Sequence, residues 1–202
     1  MFDLAGPPLP SILGRRTQVG MVVRDVEAAA TFWSQTMGIG PWVIIESSGA
    51  DRRFVHRGQE TPVEMVIAFS YSGETQVEII SQTNSAPSIY TEFLDEGREG
   101  LHHLGFWPDD YVGACAVLAD AGFEERTSLY LPDGTKTVSY FDSPSFIGTF
   151  LELAPMTPFR QTYMGAIERL AGSWNGTRPL RHFSSRDAFV ASDDFSTAMA
   201  GH

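Results

Sequence analysis

Gln18, Glu78, His103 and Glu152 offer an amide oxygen, an imidazole and two carboxylates, a set able to hold a divalent cation, and their spacing ties them together. Gln18-Val19-Gly20 is followed seven residues after the glutamine by Asp25, and His103-Leu104-Gly105 is followed at the same distance by Asp110. Shifting Ala29, Phe32, Trp33 and Thr36 by 85 positions gives Ala114, Val117, Leu118 and Ala121. Each set has the spacing of one helix face, and each helix runs into a glycine, Gly38 or Gly122. Each half then closes on a strand with a single glutamate, Gln76-Val77-Glu78-Ile79-Ile80 and Phe150-Leu151-Glu152-Leu153. A duplicated unit sets equivalent residues about a pseudo-twofold axis, so the four side chains are expected to converge.

Two carboxylates, a neutral imidazole and an amide oxygen neutralise one divalent ion and leave coordination positions open. The mixed oxygen and nitrogen set suits Zn, Ni, Co or Mn and lacks the thiolates of a closed structural zinc site. Oxygen-activating iron usually takes two histidines and a carboxylate, and Gln18 stands where the second histidine would be. His56, among Arg52, Arg53 and Arg57, reads as a surface residue. Strand alternation assigns His103, on the face of Gly105 and Trp107, as the ligand. His102 then points away with Leu104 and Phe106, into the core or behind the ligand. Glu78 and Glu152 lie between apolar neighbours, where a carboxylate is costly to bury without a cation or hydrogen bonds. Glu64, in Pro62-Val63-Glu64-Met65-Val66-Ile67, has two readings: an outward residue of a half-exposed sheet, or a second acid/base across the metal from Glu152.

The elements that must position these residues follow a βαβββ order, twice. Strands are expected near 16–23, 42–47, 62–70 and 75–81 in the first unit, and near 101–107, 123–129, 136–142 and 148–154 in the second. Helices are expected at 25–37 and 109–121, with a short one at 87–96 begun by Pro87. Residues 1–14 read as an N-terminal arm, 15–155 as the main domain (units about 16–81 and 101–155), and 156–202 as a C-terminal helix and tail. Phe159, Tyr163, Ile167 and Leu170 form one stripe of that helix; the tail from 183 is expected to be mobile or to lie across a neighbouring subunit.

Composition narrows the function further. The 202 residues, 43% hydrophobic and 12% aromatic, are those of an ordinary globular protein. A net charge of -11 argues against nucleic-acid binding, although Arg15, Arg16, Arg52, Arg53 and Arg57 can make a local pocket for an anionic substrate. The single cysteine, Cys115, reads as a buried apolar thiol on a helix. There is no membrane-length apolar run and no secretory pattern, so a cytoplasmic protein without a membrane partner is expected.

Residues 16–155 resemble the vicinal oxygen chelate superfamily, which includes glyoxalase I, methylmalonyl-CoA epimerase, ring-cleaving dioxygenases and antibiotic-resistance proteins. The resemblance rests on Gln18-Val19-Gly20 with Asp25, on Gly38-Ile39-Gly40-Pro41-Trp42 and on Glu78. It also rests on Glu99-Gly100-Leu101-His102-His103-Leu104-Gly105-Phe106, and on Tyr140-Phe141-Asp142-Ser143-Pro144 leading to Glu152. It implies an α+β fold in which two tandem βαβββ units form an incomplete barrel around a metal site. The Glu-Gly-Leu-His-His stretch is most similar to methylmalonyl-CoA epimerases, where a glutamate in the place of Glu64 is an acid/base. The Gln, Glu, His, Glu set is instead similar to that of some glyoxalase I enzymes. The expectation is a metal-dependent isomerase or lyase that stabilises an enolate of a small carbonyl or thioester substrate, with Glu64 and Glu152 as catalytic carboxylates and a homodimer as the assembly. The rivals are a hydratase-type lyase and a metal-free protein that sequesters a small molecule in a cleft of Trp33, Trp42, Trp107 and Tyr140.

Overall fold

The computed structural model describes residues 12–14 and 17–200. Most of the proposed arm, together with Arg15 and Arg16, lies outside the described residues. The first half runs β1 (Thr17–Val22), α1 (Val26–Met37), β2 (Trp42–Ile45), β3 (Arg53–His56), β4 (Gln59–Thr61), β5 (Met65–Ser72) and β6 (Thr75–Gln82). A connecting helix α2 (Ile89–Asp95) leads to β7 (Gly100–Phe106), α3 (Tyr111–Asp120), β8 (Glu125–Tyr130), β9 (Lys136–Phe141) and β10 (Phe150–Leu153). The chain ends with α4 (Pro158–Gly172), β11 (Leu180–Phe183), α5 (Arg186–Val190) and α6 (Asp193–Ala200).

The recurring aspartates are helix starts. The Asp25 carboxylate accepts from Ala28 N at 2.9 Å and that of Asp110 from Gly113 N at 2.9 Å, satisfying amides that a first helical turn leaves free. Gly38 ends α1 in the left-handed region at φ 70°. The buried face of α1 is Val26, Ala30 and Ser34, and Phe32 is exposed, so the stripe sits a little off the expected one. In α3, Ala114 and Leu118 are buried as expected. Both helices cover the outer face of the sheet: α1 packs on Met21, Trp42, Ile44 and Ile79, and α3 on Phe141, Leu151 and Leu153.

All strands join one open sheet in the order β11-β2-β5-β6-β1-β7-β10-β9-β8-β3-β4. Its eight central members are the two units, back to back across the antiparallel β1–β7 seam, and each unit's glutamate strand pairs in parallel with its first strand. The β3–β4 hairpin was not expected. It leaves the first unit and pairs with β8 of the second. In a flat sheet, the eight steps between β2 and β3 would span roughly 38 Å. The eight residue steps from Ile45 to Arg53 reach at most roughly 29 Å, so the sheet must curl into an incomplete barrel whose gap is bridged by residues 46–52.

The tail also differs from expectation. β11 pairs in parallel with β2, and Phe189 and Ala198 are buried in the same inner core as Tyr163, Ile167 and Leu170 of α4. Residues 183–200 therefore fold onto their own chain, because Phe183, Phe189 and Phe195 supply apolar surface that the Ser- and Asp-rich composition obscures.

Candidate metal centre

The four central strands carry the four expected ligands. Gln18 on β1, Glu78 on β6, His103 on β7 and Glu152 on β10 are respectively 2%, 6%, 0% and 6% exposed. One ligand atom each from Glu78, His103 and Glu152 lies within 4.8 Å of the others. His103 Nε2 stands 3.1 Å from Glu78 Oε2 and 3.2 Å from Glu152 Oε2. These approaches do not have hydrogen-bond geometry, for Nε2 of His103 and Oε2 of Glu78 are both buried without a hydrogen-bond partner, as is Oε1 of Gln18. Two oxygens and a ring nitrogen left without partners in so small a volume are costly unless a cation sits among them. The donor set fits one divalent ion.

Neighbouring groups orient two of these ligands. Gln18 Nε2 donates to Gln76 Oε1 at 2.7 Å, and Gln76 Nε2 in turn donates to the Tyr71 hydroxyl at 2.9 Å. The Gln18 amide is thereby turned so that its oxygen is left for the centre. His102 Nε2 lies 3.4 Å from the Ile89 carbonyl, and His102 Nδ1 lies 3.1 Å from His103 Nδ1. If Nε2 of His102 donates to that carbonyl, its Nδ1 accepts from His103, and a neutral His103 presents a lone pair at Nε2. Burial, and then the charge of His103, hold the His102 pKa well below the usual histidine value.

His102 is buried in the core and stands behind His103, as expected, but a bulge changes the strand face from which it does so. Gly20 pairs with His103 and Met21 with Leu101, so His102 is an extra residue in β7. Its ring therefore turns inward against Tyr90, Phe93 and Phe150 instead of outward with Leu104 and Phe106. The bulge leaves His103 facing the Glu78 and Glu152 carboxylates.

The repeated glycines have a reciprocal purpose. A Cβ on Gly20 would lie 1.9 Å from the His103 ring, and a Cβ on Gly105 would lie 2.3 Å from Gln18 Oε1. Each unit's glycine makes room for the other unit's ligand.

Electrostatics follow from this crowding. Burial raises the Glu78 pKa, partly offset by His103. Burial also opposes the charge on His103, but the carboxylates of Glu152 and Glu78 outweigh it and raise the pKa to about 9. For Glu152, burial raises the pKa, but His103 and a hydrogen bond from Tyr140 bring it below the usual value.

Glu64 is not brought to this centre. It is exposed just before β5, whose Met65, Ile67 and Phe69 face the interior, so its parity sends it to the outer side, where it lines a separate surface hollow. The position across the metal from Glu152 is thus a correction to the sequence expectation. His56 is also displaced from expectation: it is buried in β3, between Thr127 Oγ1 at 2.8 Å and Glu92 at 3.1 Å, away from the centre. Arg53 lies over the Tyr130 ring and Arg57 pairs with Glu92. Cys115, on α3, is half-buried against the Leu118, Phe141 and Leu151 cluster, its thiol pKa raised by burial.

A cavity of about 390 Å³ opens above the centre, lined by Gln18, Glu78 and Glu152 and by apolar walls that include Ile67, Phe69, Trp107 and Tyr140. Trp33 and Trp42 belong to the outer layer instead. Sequence reasoning missed Arg160, Tyr163 and Arg186, which also line this cavity. The signal available was Arg160 beside the apolar stripe of α4.

Comparison with known proteins agrees with this fold. The pattern of the Glyoxalase/Bleomycin resistance protein/Dioxygenase superfamily matches residues 17–137, more than half of the chain. The chain belongs to this superfamily. No curated protein matches it significantly. Among solved structures it is similar to methylmalonyl-CoA epimerase from Mycobacterium tuberculosis, with 14% identity over 74% of this chain and 93% of that one and a TM-score of 0.53. A variant of Streptomyces coelicolor methylmalonyl-CoA epimerase, in complex with 2-nitronate-propionyl-CoA, shares 18% identity over 72% of this chain and 96% of that one, with a TM-score of 0.51. A hypothetical protein from Bacillus halodurans shares 15% identity over 71% and 94% respectively, with a TM-score of 0.52. At these identities the likeness is one of fold. Among the described residues, no helix of this superfamily member is long and apolar enough to cross a membrane.

Proposed function

We propose that the protein is a metal-dependent isomerase or lyase that moves a proton next to the carbonyl of a small substrate. The observation carrying this reading is the unsatisfied, buried set of Gln18 Oε1, Glu78 Oε2 and His103 Nε2 at the floor of a cavity. Gln18, Glu78, His103 and Glu152 would hold one divalent ion, such as Zn, Ni, Co or Mn. When bound, the ion supplies Lewis acidity that favours negative charge on a carbonyl oxygen.

The chain's own groups do the rest. Glu152, which Tyr140 helps to keep ionised, accepts the proton at a carboxylate oxygen and returns it to the neighbouring carbon or oxygen. The apolar walls exclude water from the charged intermediate and strengthen the electrostatics around it. Tyr140 donates to Glu152 and receives from Tyr90 at 3.2 Å, so the base is held in place.

The outer position of Glu64 favours a shuttle by one carboxylate over epimerisation between two acids on opposite faces. Retention of all four ligand types weighs against a metal-free sequestering protein. The test is solvent deuterium exchange into the acidic C–H of a panel of acyl thioesters, hemithioacetals and oxo acids, using metal-loaded protein. Exchange that Glu152→Gln abolishes is expected. Tight binding of an unchanged ligand with no exchange in any of them would favour sequestration.

A further inference from the structure

Arg52, Arg160 and Arg186 come from the gap-bridging loop, from α4 and from the start of α5, yet they line the same cavity. Two of the three, Arg160 and Arg186, lie beyond the part of the chain that matches the superfamily pattern. Their charges are under-neutralised. Arg52 Nη1 donates to Asp51 Oδ2 at 2.7 Å. Arg186 donates to Ser48 O at 2.8 Å and Ser48 Oγ at 2.7 Å, and meets the same Asp51 only at 3.5 Å. Arg160 donates to the Pro155 carbonyl at 2.9 Å and the Thr137 carbonyl at 3.5 Å. Apart from the Glu78 and Glu152 carboxylates of the centre, Asp51 is the acid among the cavity-lining residues.

Tyr163 stands on the same face of α4, three residues after Arg160. It is 2% exposed, stacks on Phe159, and its hydroxyl is buried without a hydrogen-bond partner among the described residues. A buried hydroxyl left free at a cavity wall, within the influence of Arg186, is a donor awaiting an acceptor. With a divalent ion at the centre, two metal charges and three guanidiniums face three carboxylates, and the cavity is positive overall.

We infer that Arg160, Tyr163 and Arg186, with Arg52, form a subsite for an anionic oxygen-acid group, carboxylate or phosphate, at the end of the substrate remote from the metal-facing carbonyl. Planar guanidiniums hold such groups through paired, charge-assisted hydrogen bonds. The apolar walls between the two ends take the body of the molecule. The inference rests on the proposed use of this cavity and names the substrate class it admits: small acids with a carbonyl at one end and an anion at the other.

The test is calorimetric binding to the full chain, with and without added metal, using 2-oxoglutarate and 2-oxopentanoate. They share the carbonyl end and differ in the distal carboxylate. The wild type should prefer the dianion by about tenfold to a hundredfold, the range for hydrogen bonds to charged groups. Arg160→Gln and Arg186→Gln should each remove most of that preference, and Tyr163→Phe, which retains the ring and its packing, should reduce it. Free coenzyme A is the second probe: arginine-dependent binding of it, without discrimination between the two acids, would place a carrier phosphate in the subsite. Equal binding of the acids with no arginine-dependent coenzyme A binding, or a preference unchanged in folded variants, overturns the inference. Failure of the metal reading alone would leave the dianion preference in place. Failure of the subsite alone would leave metal-dependent binding of both acids without preference.

Discussion

Replacing Gly20 with alanine probes the duplicated architecture with a single methyl group. The added Cβ would fall 1.9 Å from His103 Cε1 and 2.0 Å from Nε2, whereas carbon contacts settle near about 3.5 Å. The ring must therefore retreat by roughly 1.5 Å, or β1 must part from β7 by as much. Overpacking of this kind costs about 1–3 kcal/mol. At about 2–4 °C per kcal/mol for a chain of this size, the melting temperature should fall by roughly 2–12 °C. Metal affinity should suffer more. Ligand distances tolerate only about ±0.2 Å, and loss of a mere supporting partner already costs about 10–100-fold, so a loss above about 100-fold is expected. Gly172→Ala is the control, since its Cβ meets nothing within 4 Å. Metal titration followed by calorimetry, together with the His103 ring resonances in an NMR spectrum, reads the result. Wild-type affinity with an unshifted His103 ring in Gly20→Ala would refute the idea that this glycine exists to admit the imidazole.

The histidine pair should separate cleanly: His103→Ala is expected to abolish binding measured by elemental analysis. His102→Ala should retain metal with about 10–100-fold weaker affinity, and equal retention by both would contradict the assignment. The pH dependence of metal binding follows from the raised His103 pKa of about 9 against 6.5 for a free imidazole. In the metal-free protein, stabilisation from that proton is full below the unfolded value and is lost as pH rises through about 9. A cation must displace the same proton, so affinity should climb by up to about tenfold per pH unit towards pH 9 and then level off. A flat profile between neutrality and pH 9 would place the proton elsewhere. Finally, Glu64→Gln is expected to alter neither metal content nor deuterium exchange, with stability within about 0.5 kcal/mol of wild type by denaturant melting; loss of exchange in a metal-replete variant would return Glu64 to the mechanism.

The duplication was legible because both copies preserve the same chemical punctuation. A polar side chain (Gln18 or His103), a glycine and a capping aspartate recur at fixed intervals, and a lone glutamate closes each unit. What stayed hidden depends on non-local geometry. The hairpin of Arg53–His56 and Gln59–Thr61 has strands of four and three residues, rich in charge, and its partner β8 is about seventy residues away. The bulge at His102 is invisible to an alternation rule because the rule assumes a regular pleat. Glu64 looked like an interior acid because its apolar neighbours resemble a strand buried on both faces; the two faces of β5 in fact pack on different layers, and the glutamate precedes the strand. Arg186 reaches Ser48 across a separation of 138 positions, which no local pattern records.

The centre and the arginine-bearing rim differ in how the backbone holds them. β1, β6, β7 and β10 each have hydrogen-bonded neighbours on both sides, so their amides should open to solvent only when the whole fold does. Arg52 rides on the loop of residues 46–52 and Arg186 starts the five-residue α5, both outside the ladder, whereas Arg160 stands in the first turn of α4, whose Tyr163, Ala166 and Ile167 are buried in the inner core. Substitutions at Arg52 and Arg186 therefore perturb segments outside the central ladder, and those at the floor perturb the ladder itself. Such a division lets selection alter the residues that rim the cavity, drawn from a loop and from the C-terminal segment, while the four central strands and the Glu78, His103 and Glu152 cluster they carry stay intact.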